Sequence, residues 1–117
     1  MTIRNNATKK ALAETYKELG AFFGVTKGDP GNDAQPAHEP DTGGSHTYRR
    51  VPSNWTVNDS GVATGSVTID VDDGTYTHAI LCQGIDGANM IDSCMFPSAI
   101  TMNGGGQIVL NPVFKQS

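Results

Sequence analysis

Aromatic side chains are scarce in this sequence, with four Phe, three Tyr and one Trp among 117 residues. So few large rings, with a hydrophobic share of 37%, exclude a second core and leave one domain of ordinary size. Basic residues are also few. Eight Lys and Arg stand against twelve Asp and Glu, giving a formal charge of −4. The cations are scattered and form no stripe of the kind that a phosphate backbone requires, so nucleic acid is excluded as a partner. No apolar run approaches the roughly 20 residues that span a bilayer, which excludes a membrane helix. Met1 to Asn6 lack the apolar core of a secretory signal, and the chain is expected to be made and assembled in a cytoplasm. The two cysteines, Cys82 and Cys94, form no C-x-x-C, which excludes a redox dithiol and a zinc ribbon. They read as two small buried thiols, with a disulfide across paired strands as the alternative.

Glycine, by contrast, is plentiful at 14 residues, which suits a protein of short strands and many turns. The expected architecture is mainly β, a single domain over 1–117. An N-terminal helical segment (1–20) leads into an antiparallel β-sandwich of about seven or eight short strands over 21–117. Ala7 to Leu19 is rich in helix formers, and Leu12, Tyr16 and Leu19 fall on one face at helical spacing. Asn5 or Asn6 caps its start, and Gly20 provides a left-handed residue at its end. Ala21 to Val25 reads as a short buried strand.

A long Gly/Pro loop follows over 26–46, containing Pro30, Pro36 and Pro40. A structureless stretch of that length in a small domain is commonly functional, and here it reads as a contact arm ordered by a neighbouring subunit. Beyond it, Thr47 to Val51 and Asn54 to Val57 are short strands broken by Pro52. Val67, Ile69 and Val71 alternate with polar residues at the strand period. Asp72-Asp73-Gly74 suggests a hairpin turn. Thr75 to Cys82 is the most apolar strand, with Ala79, Ile80 and Leu81 buried and His78 sharing a face with Ile80 and Cys82. Ala88 to Phe96 forms the next strand, ended by Pro97. Gln107 to Phe114 closes the sheet, with Ile108 and Leu110 inward and Pro112 at an edge.

Catalytic chemistry finds no footing. Ser45 and His46 are adjacent and lack a third member, so they make no nucleophile–base pair. His38, Glu39, Asp41 and His46 share one loop but read as solvated polar groups rather than metal ligands. Asp70 to Gly74 superficially matches the start of a calcium loop, yet lacks its distal glutamate and flanking helices. Gly104 to Gly106 precedes a strand rather than opening a helix, so it is a turn and not a phosphate cradle. The chain is therefore read as a non-enzyme with no cofactor and no metal.

The order of motifs resembles a family of short tail-fibre-like virion proteins from phages of actinobacteria. The resemblance lies in Phe23 to Gly31, in Glu39 to Gly44 leading into Tyr48-Arg49-Arg50-Val51, in Asn54-Trp55, in Thr77 to Ile80 and in Gly84 to Met90. Ala88 replaces a glycine of the family pattern, and Cys82 stands where an aromatic is common. The resemblance spans roughly 7–115 and implies a tail-associated structural protein (tail-fibre-like or a minor tail component) that acts through protein–protein contacts. A capsid decoration protein is the alternative, and a carbohydrate-binding tail-tip module stacking sugars on Tyr48, Trp55 and Tyr76 is a further one. The implied partners are other copies of the chain, a trimer among the closed forms, and other virion proteins of the tail or the major capsid shell. The implied location is the virion. Tyr48, Arg49, Arg50, Trp55, Pro30 and Pro40 are the expected interface residues, and Trp55 is equally a core candidate.

Overall fold

The structure, a computed structural model, describes residues 3–115. It is a two-layered, mainly β sandwich with a single N-terminal helix. Helix α1 (Asn6–Leu19) starts at Asn5, whose side-chain oxygen accepts the Thr8 N–H. The helix turns a different face inward from the one its larger apolar residues suggest. Ala13 is buried and Tyr16 half-buried, whereas Leu12 and Leu19 are exposed. The reason lies in Gly61, whose Cβ position is filled by Lys9 of the helix. That close approach fits the row containing Lys9, Ala13 and Tyr16 against β3 (Thr56–Val57) and β4 (Ala63–Thr64). Gly20 is not left-handed, having φ −91°. A glycine is needed there because the side chain of Leu81 occupies the place of a Cβ.

The first sheet has the order β2-β1-β6-β7, all antiparallel. Its strands are β1 (Phe22–Thr26), β2 (Val51–Pro52), β6 (Gly74–Cys82) and β7 (Met90–Met102). Strand β7 does not end at Pro97. It continues past it, and the register against β6 shifts there, because Tyr76 pairs with Ile100 while His78 pairs with Met95. Phe96 to Ala99 thus leave the ladder, and a proline without an N–H costs no ladder bond in that position. The same irregularity turns Tyr76 into the core.

The second layer consists of a three-stranded sheet, β3-β4-β9 with β9 at Val113–Phe114, and a two-stranded sheet of β5 (Val67–Val71) and β8 (Gly106–Leu110). Strands β4 and β5 are consecutive pieces of one run, as are β8 and β9. Pairing of Ala63 with Phe114 and of Val67 with Leu110 keeps one register across the gap. The Gly65 N–H to Pro112 carbonyl bond of 3.1 Å continues it. Beside the gap, the amide of Asn54 acts as a substitute strand, accepting the Ser66 N–H at 2.8 Å and donating to the Ser66 carbonyl at 2.6 Å.

Strand β5 shows the expected alternation, with Val67, Ile69 and Val71 buried. The Asp72-Asp73-Gly74 segment is not a hairpin turn, however. Strand β5 pairs with β8 and β6 pairs with β1 and β7, so the segment carries the chain from one layer to the other. Between the layers lie Phe23, Val25 and Leu81 from the first sheet, Ile69 and Ile108 from the second layer, and Trp55 from the connection before β3.

The expected strand at Thr47–Val51 is extended but unpaired up to Arg50. Its amides turn elsewhere. Thr47 N–H and Tyr48 N–H donate to the carboxylate of Asp72 at 2.9 and 3.2 Å. These bonds, the Thr47 amide first, hold Asp72 below the ordinary carboxylate range.

Candidate functional site

Two constructions stand out on the sandwich: a buried polar clasp under the long loop, and an open groove between the edges of the two layers.

The loop is held by its own chain rather than standing free as an arm. Pro30 and Pro36 are buried, and the Ala37 N–H donates to the Pro30 carbonyl at 2.9 Å. Met90 N–H reaches the carbonyl of Ala34, tying the loop to the start of β7. At its far end, Tyr48 and Arg50 lie on the face of the first sheet that carries Gly24 and Ile80, and both side chains crowd the Cβ position of Gly24. Arg50 is 2% exposed, and all five of its N–H donors are used. Nε and Nη2 grip the two oxygens of Glu39 at 2.8 Å each. Nη1 donates to the Gly84 carbonyl and to Asn89 Oδ1, and Nη2 to the Gly87 carbonyl, each at 2.9 Å. Burial alone would lower the pKa of this guanidinium, but the bonds to Glu39 lead the effects that raise it. Tyr48 Oη donates to Glu39 at 2.7 Å and accepts the Val25 N–H at 3.1 Å. Burial, reinforced by the Glu39 charge, pushes this phenol well above its ordinary pKa. Every buried side-chain polar atom among the described residues has a partner. The clasp is saturated, so it is a fastening and not a vacant binding site.

The groove is of a different kind. About 580 Å³ in volume, it opens between the edge strand β7 of the first sheet and the β8–β9 run of the second layer. Its floor is the core itself, Phe23, Trp55 and Leu81. Tyr16 stacks on Phe114 at 3.7 Å between ring centroids and meets Trp55 edge-on at 5.8 Å. Tyr16 Oη donates to Asp92 at 2.7 Å, which holds helix α1 to β7. Burial, followed by this bond, raises the Tyr16 pKa well above the ordinary phenol value. The mouth is apolar, with Phe96, Leu110 and Phe114 half-buried along it, while Met95, Val109 and Val113 turn to the outer faces of the same edges and are 69%, 59% and 62% exposed. Two unpaired strand edges beside an apolar floor mark a contact surface.

The residues expected at an interface are distributed unevenly between these constructions. Tyr48 and Arg50 belong to the clasp, Pro30 is buried beneath the loop and Trp55 lies in the core under the groove. Arg49 is exposed and Pro40 half-buried. Tyr48, Trp55 and Tyr76 are each buried, so their rings present no common platform for a sugar. Of the acidic and imidazole groups in the loop, Glu39 is taken by Arg50, and His46 Nδ1 lies 3.8 Å from Asp72. No group of three or more metal-ligating side chains converges among the described residues. In the calcium-loop-like stretch, Asp70 accepts from Gln107, and Asp73 accepts the Gly104 N–H.

The groove residues were passed over by motif reasoning because they form no motif. A sequence signal does exist. From Ser93 to Phe114 no residue is charged, the longest such stretch in the chain, and it supplies both lips.

The two thiols differ in environment. Cys82 is buried and Cys94 exposed, and both are free. In the β6–β7 register Cys94 pairs with Ala79 and Cys82 with Met90, which places the sulfurs on opposite faces. Desolvation pushes the Cys82 thiol up to about 11. A thiol reagent at neutral pH is expected to modify Cys94 in the folded protein and to reach Cys82 only after unfolding. Peptide mass mapping checks this, and equal labelling of both would contradict it.

Comparison of the chain with protein-family models, with curated proteins and with solved structures finds no match.

Proposed function

We propose that this chain is a bacteriophage virion structural protein of the tail, fibre-like or a minor tail component, working by contact with other protein chains rather than by catalysis. In this reading it assembles in the host cytoplasm and resides in the particle, bound to copies of itself and to neighbouring virion proteins. The observation that carries the contact reading is the groove, an apolar mouth between two unpaired strand edges, which is the chemistry of strand addition and subunit packing. The phage assignment is supported by the motif resemblance, and the structure gives its residues a physical use. Thr26 and Pro30 start the loop, Glu39, Tyr48 and Arg50 fasten it, and Gly84, Gly87 and Asn89 receive the guanidinium. Those motifs specify the scaffold, which leaves recognition to the groove.

Quantitative mass spectrometry of purified particles tests the proposal. The chain is expected in intact virions at a copy number far below that of the major capsid protein. Copy numbers approaching that of the capsid protein would move it to the head as a decoration protein. Its absence from particles would end the virion reading altogether.

A further inference from the structure

We propose that β7 is the seam between two copies of this chain, the two β7 strands pairing antiparallel about a two-fold axis close to Cys94. This rests on the contact reading above and names the partner and the surface.

The edges of the molecule are unequal. Strand β7 is the longest strand at 13 residues, and past Met90, whose N–H is taken by the Ala34 carbonyl, no other strand pairs with its outer edge. The devices that blunt such an edge are nearly absent from it, since Asp92 is its one charge, and Pro97 lies in the segment that has left the ladder. On the opposite flank, β2 and β3 have two residues each, and β2 contains Pro52. A head-to-tail arrangement would need a long acceptor on that flank, and two-residue edges do not provide one. Both long free edges, β7 and the β8–β9 run, lie on one flank beside the groove, so a second copy offers a matching edge only through that same flank, which makes the contact self-complementary and closed.

Charge points the same way. Two copies of net charge −4 repel wherever acidic groups face each other, whereas the charge-free stretch from Ser93 to Phe114 lets this flank approach its own image. With the axis near Cys94, the two Asp92 side chains lie four residues apart along the paired strands, roughly 14 Å at ordinary strand spacings. That is beyond the screening length of about 8 Å. The pairing also covers Met95, which is 69% exposed in the single chain.

Cys94 supplies the test. Opposed residues in an antiparallel pair have Cβ atoms about 4.5–5.5 Å apart, within reach of a short bismaleimide. The full-length chain in solution is expected to show twice its 12.3 kDa mass by light scattering and to be joined Cys94 to Cys94 by that reagent. Cys94→Ser removes the cross-link and leaves the mass unchanged. Met95→Lys puts two cations at the seam and weakens association by about tenfold or more, and Ser93→Lys does the same. Ile85→Lys, on the exposed turn after β6, leaves association unchanged. Circular dichroism confirms that each variant is folded. A monomer at all accessible concentrations, a dimer indifferent to both lysine variants, or a Cys94 joined in particles to a different virion protein would each overturn the seam. The virion role stands or falls separately. A monomer found in particles removes the seam alone, and a dimer absent from particles removes the role alone.

Discussion

Arg50→Met is expected to lower the unfolding free energy by about 3–5 kcal/mol, the range for removing one partner of a buried ion pair. At this chain length each kcal/mol corresponds to about 3–6 °C, so the melting temperature should fall by roughly 10–25 °C. The magnitude follows from what is left behind. Glu39, with its side chain 15% exposed, keeps a carboxylate with no counter-charge, and three oxygens, on Gly84, Gly87 and Asn89, lose their donors. The acceptors on Gly84 and Asn89 are half-buried and that on Gly87 belongs to an exposed residue, so water meets part of the loss, and the stranded Glu39 charge accounts for most of the cost. Arg50→Lys should fall between the two, because a compact ammonium has three donors where five are used. Glu39→Gln on the Arg50→Met background should recover part of the loss, since it removes the stranded charge and leaves the three oxygens unmet. Thermal unfolding followed by circular dichroism reads these differences, and limited proteolysis within 27–50 reads the release of the loop. A melting temperature within a few degrees of the parent protein would mean that the clasp does not hold the loop.

This clasp explains why the loop looked like an arm. From composition alone, 26–46 has no hydrophobic period, three prolines and many polar groups, and nothing in those features says where its anchors bind. The anchor is one guanidinium reaching Glu39, eleven residues before it, and a turn at 84–89 far along the chain. A contact between residues so distant leaves no local trace. Local signals were sound where the structure is local. The helix, the alternation of β5 and the buried β1 are all legible in spacing and propensity. The failures are of two kinds. One is pairing, where Asp72-Asp73-Gly74 has the residues of a hairpin turn yet crosses between layers. The other is helix orientation, where Leu12 and Leu19 outweigh Ala13 on any hydrophobicity scale, but Gly61 opposite Lys9 decides which row fits.

The same distinction applies to the site. Pattern reading sought functional residues among motifs, and the motifs are occupied in building the scaffold. The surface that remains free is defined by what it lacks, namely charge along β7 past Asp92 and along β8–β9, and a strand to close the mouth between them. An open sandwich edge with an apolar floor is a specific physical state, and a chain of modest core size gains stability when a partner covers it.

Trp55 is where core and groove meet, and Trp55→Ala is expected to cost about 3–5 kcal/mol. The indole is 6% exposed and lies 5.3 Å from the Phe23 ring centroid. It is also the edge-on partner of Tyr16, and its Nε1 donates to the Gly20 carbonyl at 3.2 Å. Truncation therefore removes a large ring from the groove floor, strips a buried acceptor of its donor and withdraws the support under the Tyr16–Phe114 stack. Trp55→Phe keeps most of the packing and loses the donor, so its cost should be nearer 1–3 kcal/mol. Chemical denaturation followed by circular dichroism measures both. The unfolding slope should stay unchanged if only the native state is weakened. The chain has a single Trp, so in the parent protein indole fluorescence reports this spot alone, and covering the groove should shift or quench it. If Trp55→Ala proves nearly neutral, the groove floor is not part of the folding core, and the groove would have to be regarded as a loose surface cleft rather than the unclosed side of the sandwich.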